Sequence, residues 1–223
     1  MAARSGQGTP PAGARVERGT ARRRILEAAV DVIRRQGLSA TTVDDLCAAA
    51  GVTKGAFFHH FASKEALAIA AAQHWSATTG ELFAAADYHD RPTAAERVLA
   101  YLDLRAALIS GEPAQFTCLA GTMAQEAFTT APAIRDACGA SILGHASTLE
   151  ADLAQALADA GPPRDGRPLD GVDAAGLARH IQAVLQGGFV LAKAADDPRL
   201  ATDSIEHLRR YVTMLLAPVT AAP

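Results

Sequence analysis

The chain has little of what most membrane, secreted or enzymatic readings depend on. No apolar run in its 223 residues approaches the roughly 18 that a membrane-crossing helix needs. The opening stretch, MAARSGQGTPPAGARVERGT, has charge and prolines but no apolar centre, so it does not read as a secretory signal. Gly, Pro, Ser and Arg dominate it, and residues 1–18 are expected to form a flexible tail. The three cysteines, Cys47, Cys118 and Cys138, include no close-spaced pair, which argues for reduced thiols in a cytoplasmic setting. Aromatics make up only 5%. Nothing alternates with period two over a strand's length. No nucleophile motif, phosphate-cradling glycine loop or metal-ligand spacing is present, so no enzyme, cofactor or metal is expected.

What remains is an Ala-rich chain, 49% apolar, that reads as helix after helix. The first is expected over about 20–36, with Ile25, Ala29, Val32 and Ile33 on one face and Arg22, Arg23, Arg24, Arg34 and Arg35 mostly off it. Gly37 ends it. Thr42 caps a second helix that stops at Gly51, and Asp45 completes a capping box. Thr53 caps a very short third helix through His60, and Ser63 caps a fourth running towards Ala86. Longer helices are expected near 93–110, 115–128, 132–160, 172–194 and 199–216, punctuated by GEP, TTAP, GPPRDGRPLDG and DDP. Charge is uneven along the chain. Residues 1–75 hold ten Lys/Arg against six Asp/Glu, and the remainder eleven against eighteen, so only the front suits a polyanion.

The second helix, the turn at Gly51-Val52 and the short third helix have helix-turn-helix spacing. Leu46, Ala50, Val52, Phe57 and Phe61 can pack against Ile25, Ala29 and Ile33. That arrangement leaves Thr53, Lys54, Gly55, Ala56, Phe58, His59 and His60 outside. Small residues at 55 and 56 allow close approach to a major groove. Thr53 and the first amides can bind phosphate, and Lys54 and Lys64 can reach a base edge or the flanking strand. The adjacent histidines also admit two other readings, ordinary surface residues or a metal or catalytic pair. Neighbours on a helix point about 100° apart, which disfavours joint chelation, and a short exposed helix supplies no orienting carboxylate or pocket.

The stretch ATTVDDLCAAAGVTKGAFFHHFASKEAL, preceded by ILEAAVDVIRRQGL, resembles the N-terminal region of the tetracycline repressor (TetR) family of bacterial regulators over about residues 20–70. The resemblance implies an all-α fold, with a three-helix DNA-binding domain (19–66) and a larger helical body (67–218) for ligand binding and dimerisation. It also implies a homodimer that binds double-stranded DNA at a palindromic operator and is released by a small-molecule effector. The positions it places on DNA are Thr42, Thr53, Lys54, Gly55, Ala56, His59, His60 and Lys64. Phe58 departs from the family's usual Tyr and cannot donate to a phosphate, although its ring can cover a sugar or a thymine methyl.

The body resembles the family only in outline, through FTCLAGTMAQEAF and LQGGFVLAKAADDP. Phe83, Tyr101, Leu104, Leu108, Phe116, Met123, His145, Gln186 and Phe189 are candidates for a ligand cavity between helices, against plain core packing. Gly187 and Gly188 permit close approach of another helix or a ligand. Val184, Gly188, Leu191, Ile205, Leu208, Val212 and Leu215 are candidates for half of a four-helix seam across a two-fold axis, against burial within one subunit. For Cys118 no cationic neighbour is evident, which favours inert packing over thiol sensing. The rival reading from another class is an all-helical enzyme or small-molecule-binding protein with a helix-turn-helix-like start. Within the regulator class, an activator is open as well.

Overall fold

Short polar side chains set the helix starts. The Oγ atoms of Thr42, Thr53, Ser63 and Thr93 each accept from the backbone N–H three residues on, a donor the helix itself leaves unpaired. Thr42 and Thr93 also close capping boxes with Asp45 and Glu96. The computed structural model describes residues 13–161 and 171–217. Its helices are α1 (Gly13–Gln36), α2 (Val43–Ala50), α3 (Lys54–His60), α4 (Lys64–Ala84), α5 (Ala94–Ala107), α6 (Pro113–Phe116), α7 (Leu119–Ala127), α8 (Pro132–Ser147), α9 (Glu150–Ala160), α10 (Ala174–Ala195) and α11 (Arg199–Leu216). No strand is present among the described residues, and no described helix is long and apolar enough to cross a membrane.

Several boundaries differ from the sequence expectations. Residues 13–18, expected as tail, belong to α1, while 1–12 and most of the GPPRDGRPLDG loop lie outside the described residues. The helix expected over 115–128 is broken at Thr117 and Cys118. Thr117 is extended there, and the Cys118 Sγ caps α7 by accepting from the Gly121 N–H. The helix expected over 132–160 bends between α8 and α9. The Thr148 and Leu149 amides donate to carbonyls only three residues back, and the Thr148 hydroxyl donates to the His145 carbonyl at 2.8 Å.

Two bodies of apolar side chains hold the helices together. One packs Ile25, Ala29, Ile33, Leu46, Phe57 and Phe61 of the N-terminal helices against Leu67 and Ala71 of α4. It runs on without a break into Leu119 and Met123 of α7 and Ile134 and Cys138 of α8. The other joins α5, α9, α10 and α11 through Tyr101, Leu102, Leu153, Ile181, Leu185, Ile205 and Val212. Head and body therefore share a core along α4, α7 and α8.

This packing corrects most of the expected dimer seam. Ile205, Leu208, Val212 and Leu215 are buried in their own subunit, because the apolar stripe of α11 faces α5, α9 and α10. Gly188 is buried too. A Cβ there would sit 3.2 Å from the Ser204 Cβ, so this glycine serves the close contact of α10 with α11, while Gly187 has open space around it. Val184 is half-buried and Leu191 is 52% exposed.

Candidate functional site

Gly51 ends α2 in the left-handed region at φ 61°, where a side chain would add strain of roughly 1 kcal/mol. The turn then delivers α3. The Val52 N–H donates to the Cys47 carbonyl at 3.0 Å, and Thr53 Oγ1 accepts from the Ala56 N–H at 3.2 Å. Arg24 of α1 donates to the Gly51 carbonyl at 3.1 Å, and Arg22 lies over the Phe61 ring at 5.4 Å. Because Phe57 is fully buried, the remainder of α3 faces outward. Thr53, Lys54, Gly55, Phe58 and His59 are exposed, as is Thr42, with Ala56 and His60 half-buried.

The charges on this face are already engaged. Lys54 pairs with Asp44 at 2.8 Å, and that hydrogen bond raises the ammonium's pKa. Lys64 donates to the carbonyls of Leu38 and Thr41 at 3.0 and 2.9 Å, so it braces the loop between α1 and α2 and keeps one N–H for an outside partner. The His59 and His60 rings stand 5.0 Å apart at 71°, and burial lowers the His60 pKa, so this ring is neutral at pH 7. Among the described residues no group of three His, Cys, Asp or Glu is placed to hold a metal ion.

Polar ties join this head to the body. The Glu126 carboxylate of α7 accepts from the Leu38 and Ser39 N–H groups at 3.0 and 2.6 Å. Gly37, at φ 84°, makes room for it, since a Cβ there would collide with the carboxylate. Lys193 of α10 donates to the Arg34 carbonyl at 2.8 Å and to Thr122 Oγ1 at 3.2 Å. Arg34, only 7% exposed, donates through Nε to the Thr117 carbonyl at 2.7 Å and lies over the Trp75 ring at 5.1 Å. Burial lowers its pKa and Asp31 opposes that, but a guanidinium stays charged.

A cavity of about 330 Å³ lies beside this joint, within the ~300–1,000 Å³ usual for small-molecule sites. Its walls include Trp75, Leu82, Phe83, Leu108, Phe116 and Phe189, with Ser141, Gln182 and Gln186 as polar groups and Arg34, Arg105 and His145 as basic ones. Arg105 lies over the Phe83 and Phe189 rings at 5.2 and 5.7 Å. Behind the wall the Gln182 amide donates to the Tyr101 hydroxyl at 3.2 Å, which lies 2.9 Å from His145 Nε2. Burial, helped by Arg105, pushes His145 down to about 4. The ring is therefore neutral, and since the Tyr101 hydroxyl already accepts from Gln182, its own proton is assigned to the bond with His145 Nε2 and the ring's proton to Nδ1. A shallower groove of about 430 Å³ runs along α10 and α11, lined by Val184, Leu191 and Leu200 with His180, His207 and Tyr211.

Residues 25–71 match the family of bacterial regulatory proteins, tetR family. Over 58 residues the chain is 40% identical to the HTH-type transcriptional repressor KstR2 of Rhodococcus jostii (strain RHA1), covering 26% of this chain and 28% of that protein. Over 52 residues it is 36% identical to the uncharacterized HTH-type transcriptional regulator YerO of Bacillus subtilis (strain 168), covering 23% of this chain and 18% of that one. The matches thus span less than a third of these curated relatives. A TetR transcriptional regulator from Chloroflexus aurantiacus J-10-FL is alike along nearly the whole chain, with a TM-score of 0.73 and 26% identity over 89% of this chain and 96% of that one. Residues 25–71 thus match the TetR family, and the fold of the whole chain is that of TetR-family regulators. The regulatory protein TetR from Rhodobacter sphaeroides shares the fold at 19% identity, with a TM-score of 0.74 over 86% of this chain and 98% of that one.

Of the residues expected around a ligand, Leu108, Phe116, His145, Gln186, Phe189 and Phe83 line the cavity. Three expected residues do not. Tyr101 and Met123 are fully buried in the two cores, and Leu104 packs against the core that holds Tyr101. The Gln186 amide fits against Gly121, where a Cβ would collide. Sequence reading missed Arg34, Trp75, Ser141, Gln182 and Arg105 in the wall. Arg105 follows Tyr101 by four residues and so shares its face of α5, a signal that was available. Arg34 was expected off the apolar face. It is buried because α1 packs on α2 and α3 along one side and on α6 and α7 along another. For Cys118, the fold brings both Arg34 and Lys193 within electrostatic reach, a cationic setting the sequence did not reveal. Cys47 and Cys138 are buried, and burial raises both thiols, Cys138 to about 12.

Proposed function

We propose that the protein is a cytoplasmic, homodimeric transcriptional repressor that binds a palindromic operator and is released by a small molecule entering the cavity. The observation that carries this reading is the outward face of α3. Thr53, Lys54, Gly55, Phe58 and His59 are solvent-exposed on a helix fixed from behind by Phe57. Thr42 and Lys64 flank that face, Lys64 offering the N–H its two carbonyl contacts leave free. Two such helices, held about 34–36 Å apart by a two-fold axis, enter successive major grooves. The outer face of α10 and α11 suits that axis, because Val190, Leu191 and Met214 are 46%, 52% and 65% exposed beside the half-buried Val184.

The cavity is placed to act on this spacing. Arg34, which lines it, is tied through its Nε to the Thr117 carbonyl and through its own carbonyl to Lys193, and a ligand shifts the head by its difference in affinity for the two arrangements. A helical carrier or enzyme shares the cavity but leaves the α3 surface without a role. Selection of bound duplexes from a random pool tests the reading. The expected product is an inverted repeat with half-sites one turn apart, bound by a dimer. No enrichment, or enrichment of a single unrepeated site by a monomer, overturns it.

A further inference from the structure

The cavity's charge is one-sided. Arg34 and Arg105 both line it, and no Asp or Glu does. Among the described residues neither guanidinium forms an ion pair with any carboxylate. Arg34 is the more telling of the two. It is more than nine-tenths buried, yet its hydrogen bond within the described residues is made through Nε alone. Its terminal nitrogens are not among the sealed, unsatisfied atoms, which leaves them open towards the cavity it lines. Sinking a charge without a counter-ion is costly, and aromatic faces at Trp75, Phe83 and Phe189 offset only part of that cost. The neutral His145 ring adds a further donor rather than an acceptor, since its Nε2 faces the Tyr101 hydroxyl.

We propose that the cavity takes an amphipathic organic anion, an oxyanion headgroup held by the Arg34 guanidinium beside the charge of Arg105, with a flat apolar body against the aromatic walls. Guanidinium forks match carboxylate and phosphate oxygens alike, and the volume of about 330 Å³ limits the body to a small ring system or short chain. The consequence reaches the head. Arg34 belongs to α1, its carbonyl is held by Lys193 and its Nε by the Thr117 carbonyl. An anion on this side chain competes for the residue that fastens the first helix to the body.

The proposal rests on the cavity being an effector site, and it is tested without DNA so that the two readings can fail separately. The full-length protein is titrated calorimetrically with 2-naphthoate, 2-naphthyl phosphate, 2-naphthamide and 2-naphthylmethylammonium. At least one anion is expected to bind tenfold or more tighter than the amide, roughly one charge-assisted hydrogen bond's worth, with the ammonium binding not at all. Whichever anion binds better identifies the headgroup. Arg34→Gln and Arg105→Gln are each expected to reduce the preference for anion over amide, and Arg34→Lys and Arg105→Lys to restore part of it. A merely structural role would weaken anion and amide together. Equal binding of amide and anions, failure of both anions to bind, or a preference unchanged in whichever glutamine variants fold would overturn the proposal.

Discussion

On the head, Lys54 sits more than half exposed with its ammonium on Asp44; in the cavity, Arg34 is 7% exposed and has no carboxylate partner among the described residues. The two cations differ in what their surroundings ask of them. An exposed pair is screened by water and salt, contributes little to folding and can exchange its carboxylate for a phosphate. A sunken guanidinium is retained only where geometry or a ligand compensates it. The same contrast holds for shape. The head presents a convex face made by one seven-residue helix, whereas the body surrounds a hollow with side chains from several helices.

The sharpest break is expected from the shared core. Phe57→Ala empties a fully buried site in the apolar body that runs from α1 into α8, and should cost about 3–5 kcal/mol in urea unfolding. Unfolding should remain a single transition for head and body together. A head that melts separately, with the body's signal unmoved, contradicts a continuous core.

Acid acts on the cavity side. The folded pKa of His145, about 4, lies below the ordinary value near 6.5, so the unfolded chain binds the proton more readily. Stability from this group is complete above pH 6.5 and is lost as pH falls through 4, a loss of at most ~3 kcal/mol. His145→Gln keeps an acceptor for the Tyr101 hydroxyl and should flatten the fall in thermal midpoint between those pH values. An equally steep fall in the variant assigns the acid sensitivity elsewhere.

The smallest effect on folding belongs to the head's surface. Lys54→Ala should leave the melting temperature unchanged while weakening binding of the selected duplex, and it should reduce the salt slope of that binding by about one. Loss of stability without loss of the slope would make Lys54 a structural partner of Asp44 alone.

How far each region was readable in the sequence follows from how local its determinants are. The head is written in short-range signals: caps at Thr42, Thr53 and Ser63, a left-handed Gly51, and apolar spacing that buries Phe57. All lie within a few residues of what they control. The cavity depends on contacts across the chain, such as Arg34 on Thr117 and Gln182 on Tyr101, which no local pattern encodes. For that reason Phe83, Phe116 and Phe189 were found there, while Trp75 and the two arginines were not. The α11 stripe shows the opposite limit. Its periodicity revealed an apolar face at Ile205, Leu208, Val212 and Leu215 but not what covers it, and the covering surface is the subunit's own α5, α9 and α10.

Hydrogen exchange of the full-length protein, with and without the selected duplex, tests the central claim most directly. Protection is expected over Thr42 to Lys64, strongest across Thr53–His60, with the cavity walls of α5 and α8 little changed. Slowed exchange confined to the body, with α3 as open in the complex as in the free protein, would contradict the account.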